Sequence, residues 1–390
     1  MNNKRTVFWI LFIVLILFLT DTLLFLGLSF ISKKKNIFYG QTRISATKVA
    51  MWRENSFDPM LGWKLHRAEA NNLGARRNTD YDPKPGYDIK TFGDSFTMGA
   101  EVSTDNTYQS FIEKETGWDC LNFGVGAYGP DQAILSYKRM DIKSKYAVLG
   151  ILSENIGRVV SYYPSWYMRE WFPPKPRFKK VDGEIQLIET PISRKKKAEQ
   201  LLDDDFIATL RKSDYWPDYY ENQLHAPANL QWPAFYTILG HLPFFASRAQ
   251  IVISNRMHPT YEMEKEKYKY THLYESDTEA LQLMRYIIDT FAQIAEERGE
   301  IPIFILFADQ FSIDIFRKYD KKIYEPLADY LKEQNYIFLD IGDIFAKENY
   351  GKYFLYYNSH YSPAGNEKVA QSLVELVKNL EGDESTFKVE

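Results

Sequence analysis

The strongest constraint on the fold is an alternation of strand-like and helix-like segments that begins near residue 87. Apolar stretches at 87–92, 118–123 and 145–152 alternate with helical patterns at 106–115 and 130–140. Such alternation is typical of a parallel sheet with helical crossovers. It stops at Arg158 and resumes with a helix at 277–298, strands at 301–307 and 336–341, and a last helix from Pro363. We therefore predict an α/β fold with a large insertion at about 158–275.

The insertion is rich in tryptophan and tyrosine. Its clustered aromatic residues are Tyr162, Tyr163, Trp166, Tyr167, Trp171, Trp216, Tyr219 and Tyr220. They could line a cleft for an extended substrate or form the core of the insertion, and the sequence leaves both interpretations open. The dipeptide Asp182-Gly183 predicts a hairpin within the insertion.

The N-terminal segment 7–31 is almost wholly apolar and long enough to cross a hydrocarbon core of about 30 Å. Asp21 lies inside it and costs about 3 kcal/mol, which the surrounding Leu, Ile, Phe and Val residues outweigh. The run is long, and Leu28-Ser29-Phe30-Ile31 is a poor cleavage site for a signal peptidase. We therefore expect an uncleaved, single-pass membrane anchor.

The orientation of this anchor is not decided by charge, because lysines and an arginine flank it on both sides. With its short N-terminal tail inside, the globular domain is expected outside the cytoplasm, at the cell membrane. The expected layout is a tail and anchor at 1–35, a lead-in arm at 36–86, the α/β domain at 87–381 and a flexible tail at 382–390.

The composition and the spacing of polar residues argue against a nucleic-acid partner, an intrachain disulfide and a metal site. The net charge is -4 and the pI is about 6.0, so no basic field attracts nucleic acid. The single cysteine, Cys120, rules out an intrachain disulfide. No group of His, Cys and Asp residues has metal-ligand spacing. We expect neither a metal nor a cofactor.

The first strand of the alternation leads directly into Gly93-Asp94-Ser95. A hydroxyl at the carboxyl end of a strand lies where open α/β sheets bind ligands, which is a suitable position for a nucleophile. The tripeptide alone also fits an ordinary turn, so partner residues must decide between the two.

Candidate partners follow the other predicted strands. The segment 124–129 matches G-x-G-x-x-G, but it follows the second strand, so an oxyanion-binding amide at Gly124 is favoured over a nucleotide loop. Asn155 follows the third strand and could donate its amide to the same oxyanion, while Arg158 could pin a carboxylate or lie at the surface. His360 follows the last strand, where it could take a proton from Ser95.

The chain resembles the SGNH/GDSL hydrolases, because the segments that contain Ser95, Gly124, Asn155 and His360 occur in this order on one α/β chain. The resemblance implies a flavodoxin-like, three-layer fold and a serine mechanism without a cofactor. It assigns Ser95 as nucleophile, His360 as base, and Ser95, Gly124 and Asn155 as oxyanion donors, with Asp94 and Arg158 as possible supporting residues.

One position departs from the family pattern. Such proteins place an aspartate two or three residues before the histidine, whereas this chain has Tyr357 and Asn358 there. The Asn358 carbonyl could hold the imidazole, although it cannot balance the imidazolium charge. Asp340 or Asp343, after the preceding strand, could supply the carboxylate instead.

The expected activity is therefore that of a membrane-anchored serine esterase or O-acyltransferase. Its substrate would be an acylated carbohydrate or another ester, with acetyl esters of a cell-envelope glycan expected. The alternative is a catalytically weakened glycan-binding or assembly protein. This alternative is considered because Asn358 stands where the family has an aspartate. The sequence leaves the oligomeric state open.

Overall fold

The computed structural model describes residues 3–34, 44–76, 86–168, 170–254, 260–356 and 359–387. The chain forms two compact units. The larger, which we call the sheet unit, comprises Ala46–Tyr162, Pro174–Glu199 and Thr260–Glu390. The smaller, which we call the anchor unit, comprises Met1–Ser45, Tyr163–Pro173 and Gln200–Pro259.

The secondary structure is mixed. The strands are β1 (Phe57–Asp58), β2 (Gly62–Trp63), β3 (Tyr87–Gly93), β4 (Cys120–Gly124), β5 (Ser144–Leu152), β6 (Arg177–Val181), β7 (Glu184–Ile188), β8 (Ile301–Phe307) and β9 (Phe338–Asp340). The helices are α1 (Asn3–Lys34), α2 (Ala46–Asn55), α3 (Ser95–Met98), α4 (Tyr108–Thr116), α5 (Pro130–Arg139), α6 (Ile156–Val159), α7 (Asp204–Leu210), α8 (Trp216–Asp218), α9 (Ala234–Gly240), α10 (Leu242–Ser254), α11 (Tyr261–Lys265), α12 (Glu279–Glu297), α13 (Gln310–Tyr319), α14 (Glu325–Glu333), α15 (Ile341–Ala346) and α16 (Pro363–Phe387).

The sheet unit is built on a five-stranded parallel sheet with the order β4-β3-β5-β8-β9. Counted along the chain, these strands have the spatial order 2-1-3-4-5, which is the flavodoxin-like order. Most of the residues in β3, β4, β5 and β8 are buried, because a parallel sheet is covered on both faces. The predicted α/β class with a parallel sheet is confirmed.

Helices cover the sheet on both faces. Because β4 and β5 lie on opposite sides of β3, right-handed crossovers place α4 and α5 on opposite faces. Helix α4 packs against α16, whereas α5 packs against α12. The result is a three-layer arrangement, as expected.

A buried ion pair lies near the amino ends of the central strands. Lys90 Nζ is 2.7 Å from Glu300 Oε1, and Tyr137 donates a hydrogen bond of 2.7 Å to the other oxygen of Glu300. Burial lowers the pKa of Lys90, while Glu300 opposes that shift. Because Glu300 immediately precedes β8, this pair lies at the edge opposite the carboxyl ends of the strands and has a structural role.

The aromatic residues of the insertion form much of the core of the anchor unit. Trp216 and Tyr163 are fully buried, the rings of Tyr167 and Trp216 stack at 4.9 Å, and Trp171 donates to the hydroxyl of Tyr163. The predicted hairpin is β6–β7 in the sheet unit, and it turns at Asp182 and Gly183, which both have positive φ.

The N-terminal helix α1 belongs to the anchor unit. Its segment Lys4–Ile31 is long and apolar enough to cross a membrane, and little of it is buried within the structure. The predicted N-terminal apolar helix is therefore present.

Candidate active site

Ser95 is the first residue of the one-turn helix α3, directly after β3. The preceding Asp94 caps this helix by accepting a hydrogen bond of 2.9 Å from Phe96 N–H. Gly93 has φ 155°, and a Cβ there would lie 2.8 Å from the carbonyl oxygen of Gly150, so glycine is required. Ser95 is half-buried while both of its neighbours are buried. The turn therefore presents the serine at the carboxyl edge of the sheet.

The carboxylate of Asp94 connects the loops that follow three strands. Its Oδ2 accepts from Asn155 Nδ2 at 2.9 Å and from Arg158 Nη1 at 3.2 Å. Arg158 also donates to the Tyr128 carbonyl, after β4, and pairs with Glu154. Asp94 and Arg158 are both buried, so the guanidinium compensates a carboxylate that has left water. The two predicted supporting residues are thus in contact and hold the serine turn.

Asn155 is buried beside this carboxylate, with its orientation determined by two hydrogen bonds. Its Oδ1 accepts from Leu152 N–H at 2.9 Å, and one hydrogen of its Nδ2 goes to Asp94. A side-chain amide carries two hydrogens, and within the described part of the chain the second one has no hydrogen-bond acceptor, so it can serve a ligand. The structure brings Asn155 to the carboxyl edge that also carries Ser95.

Gly124 has a different role from the one expected. Its N–H donates to Asn122 Oδ1 at 3.0 Å, so this donor is already engaged. A Cβ at Gly124 would lie 2.7 Å from Met98 Cα, which means that the glycine permits α3 to lie directly on the end of β4. The oxyanion role expected for the Gly124 amide is therefore not supported, because a neighbouring side chain takes the hydrogen.

Two further candidate oxyanion donors are backbone amides that are unengaged within the described part of the chain. One is the N–H of Ser95 itself, at the start of α3. The other is the N–H of Ala127, a non-glycine residue with φ 63° in the loop after β4. That loop is tied to the serine turn because Val125 N–H donates to the Gly93 carbonyl at 3.1 Å. Ala127 lies inside the glycine-rich motif, but the sequence does not mark it as a donor.

His360 reaches the serine turn on a hairpin-like loop. Phe354 and Tyr361 form an antiparallel bridge, and Leu355 N–H donates to the His360 carbonyl at 3.1 Å. Tyr361 donates its hydroxyl to the Ala308 carbonyl, after β8, at 2.9 Å. The rings of His360 and Tyr361 lie 5.2 and 4.8 Å from the ring of Phe96, the residue after Ser95. His360 and Ser95 are thus brought to one edge of the sheet from opposite ends of the domain.

The carboxylate that contacts His360 belongs to Glu101. Its Oε2 is 3.1 Å from His360 Nδ1, and its Oε1 accepts from the Tyr356 hydroxyl at 3.0 Å. The hydrogen bond with His360 is the largest cause of the lowered pKa of Glu101. Glu101 has φ 65° and lies six residues after Ser95, on the loop that follows α3. A carboxylate on Nδ1 leaves Nε2 as the nitrogen that can accept a proton.

Among the described residues, the other acid candidates, Asp340 and Asp343, have partners other than His360. Asn358 and Tyr357 are outside the described residues. Asp340 caps α15, accepts from the Tyr324 hydroxyl and pairs with Lys322, each at 2.7 Å. Asp343 also pairs with Lys322, at 2.6 Å. Both aspartates are therefore engaged by Lys322, and the described hydrogen bonds link His360 to Glu101 instead.

Arg76, from the lead-in segment, binds the loop that carries Glu101. Its guanidinium donates to the carbonyls of Met98 and Gly99 and, at 2.7 Å, to the carbonyl of Val102. These carbonyls flank Glu101 on both sides. Sequence reasoning missed Arg76, Glu101 and Tyr356 because each is a single polar residue with no motif around it.

A cavity of about 1200 Å³ lies beside β4 in the sheet unit. Polar residues from the lead-in segment line much of it, including Lys64, Arg67, Asn71 and Asn72. Val125 also lines it, which brings the cavity to the loop held by the Gly93 carbonyl. Ser95, Glu101 and His360 are not among its lining residues.

Comparisons with known proteins are distant. No protein-family model matches the sequence, and no curated protein matches it. Among solved structures, one similar chain is a protein assigned to the lipolytic G-D-S-L family from Desulfitobacterium hafniense DCB-2, with a TM-score of 0.33, 10% identity, and coverage of 75% of this chain and 99% of that chain. Another is a member of the same family from Veillonella parvula DSM 2008, with a TM-score of 0.34, 10% identity, and coverage of 74% and 96%.

Because these similarities are so low, the chemistry of the candidate site is argued from the geometry of this chain alone. The carboxyl edge of the sheet holds a half-buried serine, a histidine with a carboxylate on Nδ1, and a buried asparagine amide. Among the described residues, no group of three or more His, Cys, Asp or Glu side chains could hold a metal ion. These groups are the ones that nucleophilic acyl transfer requires.

Proposed function

We propose that this protein is a serine ester hydrolase or O-acyltransferase with Ser95 as nucleophile, His360 as general base and Glu101 as the carboxylate that orients His360. The observation that carries the proposal is the position of the His360 ring, which lies against Phe96 and has Glu101 on Nδ1. In a serine catalytic triad, a carboxylate orients the histidine, and the histidine takes the proton of the serine. Glu101, His360 and Ser95 provide these three groups.

In the first half of the reaction, the Ser95 hydroxyl attacks the ester carbonyl carbon, and its proton passes to His360 Nε2. The carbonyl oxygen becomes an oxyanion, to which Ser95 N–H and the second hydrogen of Asn155 Nδ2 donate. Glu101 stabilises the imidazolium through Nδ1–H. The tetrahedral intermediate then collapses, the alcohol leaves with the proton from Nε2, and the acyl group stays on Ser95.

In the second half, the oxygen of an incoming hydroxyl group attacks the carbonyl carbon of the acyl-serine, while His360 takes the proton of that hydroxyl. The acyl–Ser95 bond breaks, and the proton returns to the Ser95 oxygen. If the hydroxyl belongs to water, the protein is a hydrolase; if it belongs to a sugar, the protein is a transferase. Both outcomes use the same residues.

We propose an acylated carbohydrate as substrate, with acetyl as the acyl group. The support is the cavity beside β4, whose amide, guanidinium and ammonium groups suit hydroxyl-rich ligands. Because Ser95 does not line this cavity, the cavity is assigned to the part of the glycan that does not react. Arg67→Ala and Asn72→Ala should then raise KM while leaving kcat almost unchanged.

We also propose that α1 anchors the protein in the cell membrane as a single pass, with the sheet unit outside the cytoplasm. The support is the length and apolar composition of Lys4–Ile31. A cell-envelope glycan would be accessible to a domain in that location.

The test is an assay of acetate release from O-acetylated xylan by the full-length protein, with and without an unacetylated oligosaccharide acceptor. A hydrolase releases acetate in both cases, whereas a transferase moves acetyl to the acceptor. Ser95→Ala should abolish both, with Ser103→Ala as the matched control. Equal rates for wild type and Ser95→Ala would contradict the proposed chemistry.

A further inference from the structure

The carboxylate of Asp21, inside the apolar helix α1, caps another helix of the anchor unit. Asp21 Oδ2 accepts from Ala234 N–H at 3.0 Å, and Oδ1 accepts from Phe235 N–H at 2.8 Å. These are the first two amides of α9. A carboxylate and free amides are both costly in hydrocarbon, and each satisfies the other here. The pairing gives a reason for an aspartate within a membrane-spanning segment.

The described contacts of α1 with α9 and the residues just before it lie in the C-terminal half of α1. Along α1, side chains 4–20 are exposed, whereas Asp21, Phe25 and Leu28 are half-buried. Their spacing places them on one face of the helix. The ring of Phe18 meets that of Trp232 edge-on at 5.9 Å, which extends the contact by one turn. Helices α1 and α9 therefore pack along one side of the second half of α1.

The segment around α9 exposes large apolar side chains close together in sequence. Trp232, Phe235, Tyr236, Leu239 and Leu242 are all exposed, with Leu239 at 62% and Tyr236 at 63%. Exposed apolar patches of this kind mark contact with a membrane or a protein. Because the first turn of α9 is bonded to Asp21 in α1, a membrane that holds α1 would also surround this patch.

The depth of α9 follows from the position of Asp21. Asp21 lies 14 residues after Val7, which is about 21 Å along the helix axis, in a hydrocarbon core of about 30 Å. With one boundary of the hydrocarbon core placed at Val7, the start of α9 is about 9 Å from the other boundary, on the side of the C-terminal end of α1. Helices that lie in one leaflet are buried to a similar depth, about 5–10 Å.

The polar residues of the segment are compatible with this depth. His241 Nδ1 is 2.8 Å from the carbonyl oxygen of His225, so the ring at the junction of α9 and α10 has a partner. The guanidinium of Arg248 in α10 lies over the ring of Phe244, at 5.3 Å. A long arginine side chain can place its charge at the interface while its stem stays in apolar surroundings.

We propose that α9 and α10 form a second membrane element, which inserts beside α1 into the leaflet that holds the C-terminal half of α1, with lipid acyl chains around Leu239 and its apolar neighbours. This inference rests on the proposed anchoring by α1. It adds to a single-pass anchor an in-plane helical segment that does not cross the membrane.

The test measures the depth of single labelled cysteines in full-length protein reconstituted in phosphatidylcholine vesicles. An environment-sensitive fluorophore is attached at Leu239→Cys, at Leu15→Cys in α1, and, as the control, at Met51→Cys, an exposed position of α2. The native Cys120 is buried, so unmodified protein reports background labelling. Nitroxide groups on the lipid acyl chains quench fluorophores inside the membrane, and iodide quenches those in water.

We expect acyl-chain nitroxides to quench the labels at Leu15 and Leu239 roughly twofold or more, and the label at Met51 little. Asp21→Leu should reduce quenching at Leu239 but not at Leu15, because the amides of α9 lose their acceptor. If Leu15 is quenched by lipid nitroxides but Leu239 only by iodide, the inference is wrong and the anchor stands. If Leu15 also responds only to iodide, both are wrong.

Discussion

His360 Nδ1 lies 3.1 Å from Glu101 Oε2, although 259 positions separate the two residues in the chain. The contact joins the loop after the serine helix to the last loop before α16. It supplies the carboxylate that the sequence lacks at Asn358, so the histidine has an acid partner that comes from the serine side of the site. The proposed mechanism depends on this pair.

Replacing the Glu101 carboxylate should slow catalysis. We expect Glu101→Gln to lower kcat by roughly 100-fold, because the uncharged side chain cannot stabilise the imidazolium. Asp105→Asn, an exposed neighbour, is the matched control. An unchanged kcat in Glu101→Gln would remove Glu101 from the site.

The same contact should make a small, pH-dependent contribution to stability. The pKa of Glu101 is lowered in the folded protein by its hydrogen bond with His360. A lowered folded-state pKa means that the contribution is fully present above the ordinary pKa of a glutamate and is lost as the pH falls through the folded value. The Tm difference between wild type and Glu101→Gln should therefore shrink between pH 6 and pH 3, roughly the range around an ordinary carboxyl pKa. A difference that grew toward acid would contradict the assignment.

Tyr356 should act through Glu101. Its hydroxyl donates to Glu101 Oε1 at 3.0 Å, so Tyr356→Phe removes one exposed hydrogen bond and should lower kcat/KM by no more than roughly fivefold. The double variant with Glu101→Gln should be no slower than Glu101→Gln alone, because the two residues act as a unit. Additive losses would show that Tyr356 acts separately, for instance on the substrate.

Asp340 should affect stability and not turnover. Its carboxylate and Lys322 are both largely buried and 2.7 Å apart. Asp340→Asn keeps the helix cap but removes the charge, which should lower the free energy of unfolding by about 1–3 kcal/mol while kcat stays near that of wild type. A large loss of kcat without a loss of Tm would return Asp340 to the list of catalytic acids.

The sequence predicts the fold well where its signals are local. The predicted strand at 301–307 is β8, and the predicted helix from Pro363 is α16, because apolar runs and helix starts are encoded by neighbouring residues. The Asp182-Gly183 hairpin likewise follows from turn chemistry. Less could be predicted for the insertion, whose residues divide between the two units.

The candidate site could be predicted from the sequence only in part. Ser95 and Asn155 directly follow strand ends, where a parallel sheet collects its functional residues, and His360 comes later in the chain, between α15 and α16. Glu101 resembles any surface glutamate, and its contact with His360 depends on the positive φ that turns the loop after α3. The glycine pattern predicts an oxyanion role for Gly124, because a sequence pattern does not show that Asn122 takes the amide hydrogen of Gly124.

The orientation in the membrane can be tested independently of catalysis. Protease added to intact spheroplasts should digest the sheet unit, because the proposed topology places it outside the cytoplasm. The short N-terminal tail should remain protected until lysis. Protection of the sheet unit in intact spheroplasts would reverse the proposed topology.

The most direct test of the central claim is covalent labelling of the full-length protein with a fluorophosphonate, followed by peptide mass spectrometry. A serine activated by His360 and Glu101 should form an adduct at Ser95 in the wild type, more slowly in Glu101→Gln, and not at all in Ser95→Ala. A glycan-binding protein without an activated serine would form none. An unlabelled Ser95 in folded wild-type protein, or equal labelling of wild type and His360→Ala, would contradict the account.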